Sequence, residues 1–180
     1  MPYSIRRFSE QFCASDLRLT RRVQRLSEKR AILAYFAAVS RLGDGIFWYA
    51  LMLSLLLFGG DAGQRATLQM ALLGISSLLI YKGLKQLSRR PRPLSVEHAL
   101  GTHVAPLDEF SFPSGHTLHA VGFTLVMTEH YPESGLVLWP FCASVAISRV
   151  VLGLHYPSDV LAAIGLGWVL SESSSRLLIL

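Results

Sequence analysis

Arg149, His155 and Asp159 fall within the run Arg-Val-Val-Leu-Gly-Leu-His-Tyr-Pro-Ser-Asp, which has largely apolar sequence on both sides. A guanidinium, an imidazole and a carboxylate at one end of a hydrophobic hairpin are costly unless they have a task there. Arg149 lies six residues before His155 and Asp159 four after it. Those offsets can bring the three together where one helix ends and the next begins. Pro157 suits the first turn of that next helix, where its missing N–H costs nothing. A cation, an imidazole and a carboxylate able to orient it can together attack an anionic centre.

Two more polar clusters interrupt apolar sequence. Lys85 and Arg92-Pro93 place a cation near the end of one apolar run and an arginine just beyond it. Pro113-Ser114-Gly115-His116 opens the next run. Lys85, Arg92 and Arg149 can surround a dianion, with arginine gripping its oxygens bidentately and lysine acting as a point charge. Ser114 and Gly115 sit at a helix start, where backbone N–H groups attract anions. The carboxylate four residues after His155 can hold one ring nitrogen and leave the other free to attack phosphorus. His116 can protonate a leaving oxygen. The set requires neither metal nor cofactor.

The elements that must carry these groups are membrane helices. Of 180 residues, 51% are hydrophobic and 16% charged, against roughly 25% charged in soluble domains. Apolar runs cover 46–58, 66–87, 116–131, 136–154 and 160–170. The last is interrupted by Ser171-Glu172-Ser173-Ser174-Ser175. The expected fold is an all-α integral membrane bundle of about five spanning helices. Residues 1–40 form a basic amphipathic segment and 41–180 the membrane domain. From Ser15 or Asp16 as N-cap, Leu19, Val23, Leu26, Leu33 and Ala37 recur near helical spacing among arginines. That pattern predicts a helix lying on an anionic bilayer surface. Nine of the 17 Lys and Arg residues fall in the first 41 positions, and the formal charge of +5 speaks for topology rather than for a nucleic-acid partner. Five crossings put the N-terminus, the 88–112 loop and the 155–159 turn on one side, which the positive-inside rule makes cytoplasmic. A crossing by residues 31–42 would invert this. Cys13 and Cys142 suggest no disulfide framework.

The three motifs, Lys85-x6-Arg92-Pro93, Pro113-Ser114-Gly115-His116 and Ser148-Arg149-x5-His155-x3-Asp159, resemble in order and spacing the signature of the type 2 phosphatidic acid phosphatase (PAP2) superfamily. The resemblance covers roughly residues 40–170. It implies a bacterial-type membrane lipid phosphatase working through a phosphohistidine without metal. By that resemblance His155 is the nucleophile, Asp159 orients it, and His116 is the general acid that later activates water. Lys85, Arg92, Ser114, Gly115 and Arg149 would bind phosphate. Well-known lipid phosphatases of the superfamily often carry a sixth spanning helix, one more than the five apolar runs of this chain. Vanadium-dependent haloperoxidases share the signature but are soluble and much longer. A non-catalytic scaffold conflicts with the intact histidine pair.

The expected substrate is a phosphomonoester or pyrophosphate on a lipid head group. A cytoplasmic-facing site in an inner membrane favours phosphatidylglycerophosphate, phosphatidic acid or a polyprenyl-linked phosphate. An outward-facing one favours undecaprenyl pyrophosphate or lipid A. Blander assignments cover other residues. Lys82 reads as a snorkelling lysine rather than a ligand, Arg89 and Arg90 as membrane-surface charges with substrate contact as the alternative, and His119 as bundle packing with cavity lining as the alternative. Arg41 and Asp44 mark a helix boundary, while Ala163 and Gly167 have the spacing of a helix–helix contact. His98, His103 and His130 carry no argument.

Overall fold

A computed structural model of the chain describes residues 3–96 and 108–179; His98 and His103 lie outside them. Among the described residues are eight helices: α1 (Tyr3–Gln24), α2 (Arg30–Gly43), α3 (Ile46–Phe58), α4 (Gly60–Ser88), the short α5 (Pro93–Val96), α6 (Gly115–His130), α7 (Gly135–Val151) and α8 (Pro157–Ile179). They contain no strand, only an isolated bridge between Pro91 and Phe110.

Helix α6 is the axis of the bundle. Leu118, Ala120, Val121, Phe123, Val126 and Met127 are buried around its circumference, as expected of a helix apolar on every side. It packs against α4, α7 and α8. Trp48 of α3, Met70 and Leu73 of α4, and Val145 of α7 complete the core. The outer faces are apolar too. Leu53 and Leu57 of α3, Ile75 and Leu79 of α4, and Leu161, Trp168 and Val169 of α8 are all exposed. Apolar faces this extensive belong in lipid rather than water, and the chain is an integral membrane protein.

Gly60–Ser88 and Pro132–Val151 are each long and apolar enough to cross a bilayer. Helix α3, at 13 residues, is only about 20 Å long and too short to do so alone. It follows α2 across a 48° bend, and the pair together qualifies as a third span. The serines after Leu170 do not stop α8. Ser173 donates to the Val169 carbonyl at 2.7 Å and Ser174 to that of Ser171 at 2.7 Å, a back-bonding that serine tolerates inside a helix.

The N-terminal region departs from the sequence expectation in two ways. Ser15 and Asp16 lie inside α1 rather than capping it. The single helix expected as far as Ala37 is also broken, by a 3₁₀ turn over Arg25–Glu28 and by extended Lys29. Much of the face that α1 and the following 3₁₀ turn present to the bundle is polar: Asp16, Thr20, Gln24 and Ser27 are buried, while Leu19 and Leu26 are exposed. Of the apolar series, Val23 packs against Ala146, Val150 and Val160, while Leu19 and Leu26 face away from the bundle.

At the end of the bundle remote from the 155–159 turn, polar groups tie helices together. Gln69 of α4 donates to Ser174 at 3.2 Å and Ser175 at 2.9 Å on α8, and to Glu129 of α6 at 3.3 Å. His130 bonds the Gln69 carbonyl oxygen at 2.8 Å, and Tyr131 donates to the Gly59 carbonyl at 3.2 Å.

Helices α6 and α8 approach closely at Gly167, where an added Cβ would come within 2.9 Å of the Leu118 carbonyl oxygen and 3.1 Å of Val121. Ala163, one turn earlier, is fully buried. Gly167→Val is therefore expected to destabilise the protein by about 1–3 kcal/mol, read as a lower unfolding temperature in detergent. An unchanged transition would contradict this packing.

Candidate active site

The end of α4 carries the first cations inward. Arg89 closes that helix in the left-handed region, at φ 44°, with its N–H on the Lys85 carbonyl at 2.9 Å. The chain then doubles back, and Arg90 and Phe110 are held against each other by the Ser111 N–H on the Arg90 carbonyl (2.9 Å) and the Pro91–Phe110 bridge. Lys85 Nζ donates to Asp108 Oδ1 at 2.9 Å and to the Phe110 carbonyl at 2.7 Å. Arg92 spends its fork four ways: on the Asp108 carbonyl (2.9 Å), Asp108 Oδ1 (2.6 Å), the Leu154 carbonyl (2.7 Å) and His155 Nε2 (3.3 Å).

The end of α7 carries the third cation and the first histidine. Arg149 is buried and donates through one guanidinium nitrogen to Ser40 of α2, while its Nε has no partner. Its carbonyl accepts the N–H groups of both Leu154 and His155 at 3.0 Å. That double acceptance needs the chain to reverse at Gly153, which has φ 69°, a conformation glycine adopts without penalty. A Cβ there would also stand 2.9 Å from the Gln24 amide.

His155 is almost fully buried. Its Nδ1 stands 3.6 Å from Asp159 Oδ2, too far for a hydrogen bond. That carboxylate oxygen accepts the Tyr156 N–H at 2.9 Å. Nε2 faces Arg92, whose N–H can only donate, so the Nε2 lone pair points to the cation and the proton belongs on Nδ1 beside Asp159. Burial first, then the charges of Arg149, Arg92 and Lys85, hold the His155 ring well below the ordinary histidine value of 6.5. It is therefore neutral, with its Nε2 electron pair turned to the Arg92 guanidinium.

His116, in the first turn of α6, is bonded through Nε2 to Asp44, which sits at the corner between α2 and α3. Ser114 caps α6, its hydroxyl accepting the Thr117 N–H at 3.4 Å. Its own N–H bonds the Asp159 carbonyl at 3.3 Å.

A cavity of about 490 Å³ collects these groups. Lys85, Arg92, Gly115, His116, Arg149 and His155 line it, together with Asp44 and Asp108. Ser114 does not, and Asp159 stands behind His155. The rest of the wall includes Tyr49 and Met52 of α3 and Ile75 and Leu78 of α4, so one end is cationic and the other apolar. His119 and Lys82 also line it, more than bundle packing or snorkelling required of them. Asp108 is the site residue the sequence reading missed. Burial alone would raise its carboxyl, but Lys85 and Arg92 outweigh that and hold it below the ordinary carboxylate value. No local spacing ties Asp108 to Lys85 or Arg92, from which it is 23 and 16 residues away. Asp44, read as a helix boundary, was underrated. Arg90, read as a surface charge, turns inward onto Asp159 at 2.6 Å.

Residues 66–177 match the model of the PAP2 superfamily, and the chain belongs to that superfamily, as its three motifs suggested. It is 32% identical over 117 residues to undecaprenyl-diphosphatase BcrC of Bacillus subtilis, covering 64% of this chain and 60% of that one. It is 38% identical over 89 residues to decaprenylphosphoryl-5-phosphoribose phosphatase of Mycobacterium tuberculosis, covering 47% and 45%. With phosphatidylglycerophosphatase B of Bacillus subtilis it shares 31% over 147 residues, covering 72% and 60%. The matches thus span about half to three-fifths of these curated relatives. Among solved structures, Aquifex aeolicus LpxE superposes with a TM-score of 0.76 at 22% identity, covering 89% of this chain and 94% of that one. A transmembrane PAP2 type phosphatidylglycerolphosphate phosphatase from Bacillus subtilis gives 0.72 at 23%, covering 93% and 86%. These two show the fold.

Proposed function

We propose that this protein is a membrane lipid phosphatase that removes phosphate from a phosphomonoester or pyrophosphate head group through a phosphohistidine. The observation that carries this reading is one cavity with a neutral histidine and three cations at one end and an apolar wall at the other. Lys85, Arg92 and Arg149 would hold the phosphoryl oxygens, and Gly115 lets the α6 N-terminus approach them. His155 Nε2 would attack phosphorus. As the N–P bond forms, the bond to the leaving oxygen breaks and His116 supplies its proton. His116 would then take a proton from water, which attacks the phosphohistidine, breaks the P–N bond and releases phosphate. Asp159 would stabilise the His155 Nδ1–H side as positive charge develops.

The named activities of BcrC, the decaprenylphosphoryl-5-phosphoribose phosphatase and phosphatidylglycerophosphatase B favour polyprenyl-linked phosphates and phosphatidylglycerophosphate as the first substrates to test, with phosphatidic acid beside them. Five spans (α2–α3, α4, α6, α7, α8), with α1 on the bilayer surface, would place the site at the cytoplasmic face of a bacterial inner membrane. Phosphate release by detergent-purified protein across those lipids, in excess chelator, tests the reading. Activity on at least one lipid is expected to survive chelation. Inertness on all, or recovery only with added metal, would overturn it.

The depressed His155 value sets a pH expectation. Because the neutral ring is the nucleophile, lowering its pKa extends activity towards acid. The acid limb of kcat/KM, which reports the free enzyme, should therefore fall below pH 6.5, the ordinary histidine value. A limb above 6.5 would contradict the site described here.

Asp108 gives another. Its carboxylate already pairs with two of the cations meant for phosphate, so an arriving dianion must displace it or share them. Asp108→Asn should bind inorganic phosphate about tenfold more tightly, read as a lower inhibition constant. An unchanged or weakened constant would remove Asp108 from this competition.

A further inference from the structure

The carboxylate behind His155 is itself held by a chain of buried groups reaching α1. Arg90 donates to Asp159 Oδ1 at 2.6 Å and to the Ser158 hydroxyl at 2.7 Å. Its other terminal nitrogen donates to Asp16 Oδ2 at 2.7 Å. Ser158 closes the ring: its N–H donates to Asp16 Oδ1 at 3.2 Å and its hydroxyl to Oδ2. The guanidinium also lies 4.0 Å over the Tyr156 ring. Asp159 is fully buried, and the Asp16 side chain is only 6% exposed.

A buried carboxylate pair flanking one guanidinium is costly to assemble and fixes geometry when every donor is used. Asp159 Oδ1 has Arg90 and Oδ2 has the Tyr156 N–H, so the carboxylate cannot swing without breaking one of the two. The plane of Asp159, and hence the approach of Oδ2 to His155 Nδ1, is held by Arg90 together with the Tyr156 N–H. Arg90 in turn can keep its fork on Asp159 only while Asp16 holds its other arm. Without Asp16, a flexible arginine 18% exposed in its side chain has water as an alternative partner.

We infer that Asp16 is a positioning residue for the reaction, acting through Arg90 on Asp159 and so on His155. It lies outside residues 66–177, the stretch matched by the superfamily, and makes α1 a working part of the active site. The inference rests on the reading of His155 as nucleophile with Asp159 behind it.

The test is a double-mutant cycle on the full-length protein, with kcat, KM and thermal unfolding measured for Asp16→Asn, Asp159→Asn and the pair. Asp16→Asn should lower kcat about tenfold, as loss of an outer partner does at other preorganised sites. KM should stay within about twofold, because Asp16 touches no substrate. In the Asp159→Asn background the same change should cost less than about twofold, since the group it acts through is already gone. If Asp16→Asn does not fold, Ser158→Ala removes the hydroxyl shared by Arg90 and Asp16, and should show a smaller kcat loss that likewise vanishes with Asp159→Asn. An unchanged kcat overturns the inference, as does an equal loss in both backgrounds, which would signify general loosening. An unaffected Asp159→Asn would instead sink the role of Asp159 itself, and the inference with it.

Discussion

In His155→Ala protein, phosphate release from the lipid substrate should fall by about 10⁴-fold or more, the scale on which removal of a nucleophile acts. His116→Ala should behave differently, and the difference identifies the roles. Loss of a general acid and base costs about 10²–10⁴-fold on a substrate whose leaving oxygen needs a proton. An aryl phosphate leaves without one. His116→Ala should therefore still transfer phosphoryl from an aryl phosphate to His155, yet lack the group that activates water for the second step. Phosphate should then accumulate on the protein in a form stable to alkali and labile to acid, as expected of a phosphohistidine. Wild type should show it only fleetingly, and His155→Ala not at all. Accumulation in His155→Ala, or none in His116→Ala, would mean that the two roles are reversed or that no covalent step exists.

Arg92→Lys should lower kcat/KM by about 10²–10³-fold, the scale for losing one preorganised donor to a developing anion. The charge is conserved, so the loss would come from shape. Arg92 simultaneously reaches the Leu154 carbonyl, the backbone and carboxylate of Asp108, and His155 Nε2. An ammonium has donors on one atom and cannot span that set. On the proposed reading Arg92 would bind phosphate, and it also holds the Leu154–His155 turn against the Asp108 segment. Both kcat and KM should suffer, whereas a residue that merely supplied charge would leave the lysine variant near wild type.

The sequence revealed the site more fully than it revealed the supports of the site. Lys85, Arg92, His116, Arg149 and His155 occur at fixed offsets close to helix ends, and helix geometry alone forces such groups to the same end of a bundle. Asp16, Asp44 and Asp108 are separated from their partners by 74, 72 and 16–23 residues. Pairings at such separations follow from how the helices pack, which no local spacing encodes. The same limit explains α1. Its leucines were visible at helical spacing, but Asp16 had meaning only once Arg90 and Ser158 stood opposite. The serines after Leu170 were misread because their hydroxyls donate to carbonyls one turn back and accept from Gln69 across the bundle, neither of which composition discloses.

The ties around Gln69 bear on how the molecule can breathe. Helices α4, α6 and α8 are stapled by side chains at one extremity, and Tyr131 fastens the α3–α4 corner beside them. From Gln69 to Lys85 the lever arm along α4 is about 24 Å. With that extremity as fulcrum, a tilt of a few degrees moves the Lys85 end by about 1–2 Å and leaves the staples intact. On the proposed reading, a bulky amphiphile would be admitted by splaying at the cationic end, in the manner of a clothes-peg. The contacts that resist opening are those of the α2–α3 elbow, the Asp108 pairs and the Arg90 ties to Asp16 and Asp159, while the lipid-embedded body can stay shut.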